Sequence, residues 1–486
     1  MQKTFDDAVL EIDNIPGILD YRYQDGSSIW LSVRFDLRMI NFANSSGSKD
    51  EGKKDKITKL SIIKYILLSF FNSPNINKSS VDILSIANFE GNVDVPNAWT
   101  VFLKGLTSMK IRELLYSPNF ISFLKIKNTY SLDYFYSLAR IKIKLGGYFN
   151  RNKSHVNFEK INHFMALLKS HLSDYIGEKD FINIQNQVLY IDRLSPVYYS
   201  YIYGYIKAVK PKLIVCSEGN NGDWKYAALF RAAKTQSIKT AEVQHGALGL
   251  GMRYAELLTK NSVFREHKSD YLLTFGEYHN HSSNAAGKNI AIGNYRLQNI
   301  ARKLQENIDQ KNEDVLTLLF ISEGIPATSI NNGLIKTVLN GLKASTIKYQ
   351  LIIRLHPTET SREKYQELVA LNSDVSFSAG NYGDIYPLLK SADIIIGHTS
   401  TVLFEAGYFG KKPFIYKDEV SERYMPENLG KWFSDSTMLA SEIAGFKANE
   451  PDNTLTRYFW EKGDYMDNFM AFYSTEINNQ GKGIAV

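Results

Sequence analysis

The sequence predicts two doubly wound α/β domains facing a cleft, with a largely helical N-terminal elaboration. Two observations carry that expectation. Short apolar runs recur between stretches with helical spacing, the alternation that builds parallel sheets. Almost every such run also stops in small or polar residues, and open parallel sheets place their functional groups at those carboxyl ends. At about 100–200 residues per domain, a chain of 486 residues has room for two or three domains.

Residues 44–55 are rich in Ser, Gly, Lys and Asp and read as an exposed loop. Lys56–Phe71 follows with apolar residues at Ile57, Leu60, Ile63, Ile66 and Leu67, the spacing of an amphipathic helix. Val81–Ala87 reads as a strand, and Trp99–Leu189 is mostly helical in pattern. From Pro211 the text changes. Strands are expected at Lys212–Ser217, Thr240–Gln244 and Ser269–Phe275, with a polar loop at Glu218–Asp223 and a helix at Trp224–Lys234. After a charged helical spacer, Ala301–Asp314, the alternation restarts. Strands are expected at Val315–Ile321, Tyr349–Leu355, Asp393–Ile396 and Pro413–Tyr416. Helices are expected at Gly333–Lys343, Ser361–Leu371 and Thr401–Phe409. The boundary between the units falls near residues 277–314. The expected domains are residues 1–290, with an α/β core from about 200, then 291–450, then a helical tail at 451–486 that packs back on the first domain.

Composition excludes several classes. Hydrophobic residues make up 44% and charged residues 22%, as in ordinary globular proteins, so disorder is not expected. The single cysteine, Cys216, rules out an intrachain disulfide and a multi-cysteine metal site, and favours a reducing, cytoplasmic compartment. It lies in an apolar run and reads as a buried small hydrophobe. Met1–Ile15 is acidic and carries no secretory pattern. The longest apolar stretch, Ile62–Phe71, is broken by Lys64 and Ser69 and falls short of the roughly 20 residues of a membrane span. A net charge of +6 with Lys-rich patches suits phosphate-bearing substrates or peripheral contact with the inner membrane's surface. Basic residues are otherwise scattered, and no nucleic-acid-binding signature appears. The 30 Tyr and 27 Phe suit sugar stacking as well as plain core packing.

The unusual residues collect at strand ends. Three of the nine histidines, His245, His356 and His398, fall there. In Gly397–Glu405 a strand stops, hydroxyl residues follow and a helix begins. His398, Thr399, Ser400 and Thr401 therefore read as a phosphate cradle at a helix N-terminus, where unpaired N–H groups and a partial positive charge favour anions. Glu405, one turn beyond Thr401, is placed to accept hydrogen bonds from ribose hydroxyls. Arg354 and His356, two apart on a strand and stopped by Pro357, point to one side and suit holding a phosphate and protonating a leaving group. Ser322, Glu323 and Gly324 end the neighbouring strand. In the first unit His245-Gly246 suits a general base, with Glu218 as the carboxylate alternative or as its orienting partner.

The order of Gln244-His245-Gly246, Gly293-Asn294-Tyr295-Arg296, Arg354-Leu355-His356-Pro357, Ala392–Thr401 and Lys412-Pro413-Phe414-Ile415-Tyr416 resembles the CDP-glycerol glycerophosphotransferase group of GT-B enzymes. The resemblance extends to bacterial sialyl-, polysialyl- and Kdo-transferases and covers roughly residues 211–425. It implies a GT-B fold of two Rossmann-type domains, with a metal-independent transfer that needs no cofactor. It also implies a nucleotide-activated donor on the second domain and a glycan or lipid-linked acceptor on the first. The His-Pro motif at 356–357 and the Ser/Thr pair at 400–401 would hold the donor's nucleotide phosphate. Glu218-Gly219 or Glu323-Gly324 would stand for the families' acidic-Gly motif. Two departures, Gln244 before the His-Gly and Gly397–Thr401 in place of Thr-Asp-Tyr-Ser-Ser, move the expected donor from glycerol phosphate toward a nucleotide sugar.

Overall fold

The computed structural model describes residues 3–45, 80–88, 100–116, 129–148, 157–217, 222–246, 254–284, 287–305, 315–323, 328–345, 347–356, 365, 374–378, 385–446, 458–461 and 463–478. The helix expected at Lys56–Phe71 lies outside these residues, as does that at Ser361–Leu371 apart from Tyr365. So do Glu218, Gly219, Gly324 and Pro357.

The first sheet contains β1 (Ile83–Asn88), β2 (Ile111–Tyr116), β3 (Thr129–Ser131), β4 (Leu213–Cys216), β5 (Lys239–Val243), β6 (Tyr271–Thr274) and β7 (Lys288–Ala291). The second contains β8 (Leu316–Ile321), β9 (Tyr349–Arg354), β10 (Val375–Ser378), β11 (Ile394–Gly397), β12 (Phe414–Tyr416) and β13 (Lys431–Phe433). Their orders are β3-β2-β1-β4-β5-β6-β7 and β10-β9-β8-β11-β12-β13. Every pair is parallel. In both sheets the winding reverses beside the first strand, between β1 and β4 and between β8 and β11, which leaves a crevice at the strand ends.

One expectation is corrected here. The α/β core of the first domain starts near residue 81 rather than 200, because β1, β2 and β3 share the sheet with β4. β2 escapes a pattern search because Arg112 and Glu113 interrupt it, and β3 because it has only three residues. The helices around this sheet, Phe5–Asp13, Ile29–Ser45, Asp133–Tyr148, Phe158–Leu172 and Glu178–Val209, still make the N-terminal region largely helical. Their apolar faces join one core with Leu84, Ile214 and Cys216. Inside it the Asp13 carboxylate accepts from Arg34 (2.7 Å) and from Trp30 Nε1 (2.8 Å), so the buried charge is paired. Cys216 is fully buried.

The two sheets meet through aromatic packing. Phe275, just past β6, and Leu297, on the helix Tyr295–Gln305, share a core with Leu319 and Ile395 of the second sheet and with Leu403 on the helix after β11. Phe275 stacks on Trp460 with ring centroids 5.3 Å apart. The Trp460 indole donates to Phe404 O (3.2 Å), and Glu461 N–H donates to Phe275 O (2.6 Å). The chain then returns to the first domain. In the helix Tyr465–Phe472, Tyr465 and Phe469 pack on Phe102 at 4.9 and 4.8 Å, in the core that holds Val215 and Val243. At the other edge of the interface, Tyr424 donates to Asp6 (3.2 Å), and Arg423 lies 3.6 Å from Asp6 and 3.7 Å from Asp7.

Gly276 is where this junction is tightest. A Cβ there would lie 2.4 Å from the Phe459 carbonyl carbon and oxygen, which are backbone atoms that cannot rotate aside. Gly276→Ala is expected to destabilise the protein by about 1–3 kcal/mol, the usual penalty of overpacking. Chemical denaturation that returns an unchanged midpoint would show that the junction yields.

Candidate functional site

Three strand ends of the second sheet open into one cavity of about 330 Å3. Its walls include Ser322 and Glu323 after β8, Arg354 and His356 at β9, and Thr399, Ser400 and Thr401 after β11. β8 and β11 flank the winding reversal, so the cavity sits where doubly wound sheets bind ligands. The size is that of a small-molecule site.

The main chain here is fixed from inside the sheet. Ser322 N–H donates to Arg354 O (3.0 Å), and Ser322 Oγ accepts from His356 N–H (3.3 Å). Arg354 is buried, with its guanidinium on Ser378 Oγ at 3.0 Å, whereas His356 is exposed at the rim. Ser400 caps the helix Thr401–Tyr408, its Oγ accepting from Val402 N–H at 3.3 Å. That helix start contributes a partial positive charge to the same cavity as the Arg354 guanidinium.

Glu323 ties two of the strand ends together. Its carboxylate accepts from Thr399 N–H and from Thr399 Oγ1 (2.8 Å), and it lies 3.4 Å from His398 Nδ1. His398 does not line the cavity. It is buried behind the wall, with Nε2 on Asp418 Oδ1 at 2.7 Å. Burial alone would lower its pKa, but hydrogen bonds and negative charge from Glu323 and then Asp418 outweigh that, and the net shift is upward. Burial likewise raises the Asp418 carboxyl, but His398 and the Ser421 amide win, and its pKa falls below the usual carboxylate range. Asp418 also caps the helix Glu419–Tyr424, whose Arg423 and Tyr424 meet the N-terminal helix. Asp418 was not singled out in the sequence. The only local signal is the Asp-x-x-Ser capping pattern at 418–421.

Glu405 departs from expectation. It is 2% exposed and is not among the residues that line this cavity. The helix Thr401–Tyr408 buries Val402 through Ala406, so the residue one turn past Thr401 points into the protein rather than along the wall. Burial raises the Glu405 carboxyl to about 7, against the nearby positive charge of Arg296.

In the first domain His245 follows β5 and is half-buried. Burial lowers its pKa, opposed by a hydrogen bond with the Ser217 backbone, so the neutral imidazole is favoured at neutral pH. Gln244 fixes the turn that carries it: Nε2 donates to Gly246 O (2.6 Å), and Oε1 accepts from Phe275 N–H (2.8 Å). This clamp was also missed from sequence, where Gln244 counted only as a departure from the resembled family.

Two parallel sheets with this strand order, joined by an aromatic junction and carrying a cavity at the strand ends, define a GT-B fold. No protein-family model matches the chain, and no curated protein matches it. Among solved structures, a Listeria monocytogenes protein assigned as a UDP-N-acetylglucosamine 2-epimerase shares the fold. It is 10% identical, with 82% of this chain and 98% of that one covered, at a TM-score of 0.50. The Neisseria meningitidis UDP-GlcNAc 2-epimerase bound to UDP-GlcNAc is 13% identical, covering 82% of this chain and 100% of its own, at a TM-score of 0.45. The wall teichoic acid polymerase TagF is 12% identical, covering 85% and 90%, at a TM-score of 0.38. At these identities the likeness is one of fold.

The titrations predict the pH behaviour. His398, with its raised pKa, adds stability below its ordinary 6.5 that is lost as pH rises through the raised value. Asp418, with its lowered pKa, adds stability above 3.8 that is lost as pH falls through the lowered value. Glu405, raised from 4.5 to about 7, costs roughly 3 kcal/mol of stability as pH rises from 4.5 through about 7, a loss complete above that value. Denaturation midpoints measured across pH should therefore fall on both flanks. Glu405→Gln should be more stable than the parent above pH 7, and Asp418→Asn should move the His398 decline to lower pH. Superimposable curves for all three proteins would contradict these assignments.

Proposed function

We propose that the chain is a GT-B glycosyltransferase that moves a sugar from a CMP-, CDP- or UDP-linked donor to a growing surface polysaccharide, of the capsule or O-antigen kind. The observation that carries this reading is the convergence of Ser322, Glu323, Arg354, His356, Thr399, Ser400 and Thr401 on one cavity at the winding reversal. Arg354 and the helix start at Ser400 suit the donor's phosphates. His356, at the rim, suits proton donation to the departing phosphate. His398 positions Glu323 from behind the wall.

The acceptor side is read onto the first domain, residues 1–290, with 291–450 for the donor and 451–486 returning to the first. His245 deprotonates the acceptor hydroxyl, and Glu218 remains the alternative base. The acceptor oxygen forms a bond to the sugar's anomeric carbon as the bond from that carbon to the donor phosphate breaks. The leaving phosphate keeps the electron pair, and Arg354 and the helix dipole stabilise its charge. A neutral, partly desolvated imidazole suits the base role, because a base must be unprotonated to take the acceptor's proton. The reading requires no metal. Among the described residues there is no cluster of three metal-ligating side chains and no helix long and apolar enough to cross a membrane. A peripheral place at the inner membrane fits the basic excess.

A polyol-phosphate transferase of teichoic-acid type would use the same donor cavity. A nucleotide-sugar epimerase is the competing reading, since the Listeria neighbour carries that assignment. Product analysis with donor alone separates them: an epimerase converts the donor, whereas a transferase releases only slow hydrolysis products. Thermal shifts with CMP, CDP, UDP and GDP identify the nucleotide, because a ligand that binds the native state raises its apparent stability.

Arg354→Ala and His356→Ala are each expected to lower kcat/KM for the donor by roughly 10- to 150-fold, the range for a charged phosphate contact. Unchanged kinetics in a folded variant would refute the donor assignment. His245→Ala should cut transfer by roughly 100- to 10,000-fold while leaving nucleotide affinity nearly unchanged. If Glu218→Gln abolishes transfer and His245→Ala is mild, the carboxylate is the base.

A further inference from the structure

The helix start at Ser400–Thr401 is built to receive an anion, and one is already there. Thr399, immediately before the cap, gives both its N–H and its hydroxyl to the carboxylate of Glu323. These are the donors a phosphate entering the cavity would seek. A carboxylate on them competes with such a ligand directly and repels it through space.

The surroundings leave Glu323 a second place to go. Its Oε2 is 3.4 Å from His398 Nδ1, longer than a good charge-assisted hydrogen bond, so this contact can still tighten. His398 cannot swing away, because Asp418 holds its other nitrogen at 2.7 Å and Asp418 is itself locked by its capping box with Ser421. The backbone beside Glu323 is also fixed, with the Ser322 N–H on Arg354 O and the Ser322 hydroxyl accepting from His356 N–H. A change of partner therefore needs only the Glu323 side chain to rotate.

We propose that Glu323 is a built-in stand-in for the donor's phosphate: it fills the anion seat of the cavity until an incoming diphosphate displaces it from Thr399 onto His398. The inference rests on the donor reading above and adds a specificity role. A ligand must bring enough negative charge to take the seat, so nucleosides without phosphates gain nothing there. The same competition weakens nucleotide binding overall, which speeds release of the spent nucleotide.

Calorimetric titration of the full chain with UDP, CDP, uridine and cytidine tests this, with folding of each variant checked by its melting temperature. Glu323→Gln removes the charge and should bind the diphosphates about 10-fold more tightly, with nucleoside binding unchanged. Glu323→Asp keeps the charge on a shorter arm and should fall between. Equal or weaker diphosphate binding by Glu323→Gln overturns the inference and assigns Glu323 to direct ligand contact. Binding of UDP and CDP to neither protein overturns this inference, and if CMP also fails to bind the parent chain, the donor reading falls with it. A crystal structure of the parent chain grown with UDP needs no variant. A phosphate oxygen on the Thr399 amide, with Glu323 on His398, is expected. Glu323 still on Thr399, with the phosphates elsewhere in the cavity, overturns the inference.

Discussion

Parallel pairing of every described strand is the constraint on which the rest of this molecule depends. Parallel strands bring all their carboxyl ends to one edge, and the reversal of winding beside β1 and β8 opens a crevice there. A chain with this topology has its polar strand-end residues gathered whether or not they are neighbours in sequence. Ser322 and Thr399 lie far apart along the chain, yet one side chain, Glu323, reaches from one strand end to the other.

The cavity has a balance of charge that burial makes consequential. Arg354 and the helix start supply positive charge, Glu323 and Asp418 offset it, and both carboxylates favour the protonated form of His398. In a partly desolvated wall, each unpaired charge would carry a penalty of several kcal/mol, so the groups occur as a linked set. His398 is the centre of that set. It touches no cavity space, but it joins the wall to Asp418 and, through the capped helix Glu419–Tyr424, to the Asp6–Arg423 contact with the N-terminal helix. The cavity and the interdomain edge are thus physically contiguous.

The other interdomain contact is apolar and tighter. Phe275, Trp460 and Phe459 pack around Gly276, where backbone meets backbone with no space for a methyl group. Gln244 reaches the same point, accepting from Phe275 N–H while its amide holds Gly246. The turn carrying His245 is therefore anchored to the junction between the sheets. A displacement of that junction would also move His245.

Much of this was legible in the sequence, and for a physical reason. Buried parallel strands are short apolar runs on both faces, so β4, β5, β6, β8, β9, β11 and β12 stand out from local composition alone. The residues that end them follow directly, which is why Ser322, Glu323, Arg354, His356 and Thr399–Thr401 could be grouped before any coordinates. Strands with mixed or minimal text, β2, β3, β7, β10 and β13, did not stand out, because their pairing is decided by neighbours distant in sequence. Which strand-end groups face the cavity was likewise a tertiary matter. The sequence treats His398 and Glu405 as equals of Ser400. Packing sends His398 behind the wall to Asp418 and turns Glu405 into the core. The clamps Asp418 and Gln244 act only through contacts that the fold creates. Local pattern determined the strands and the chemistry at their ends; burial and long-range pairing decided which of those groups a ligand can meet.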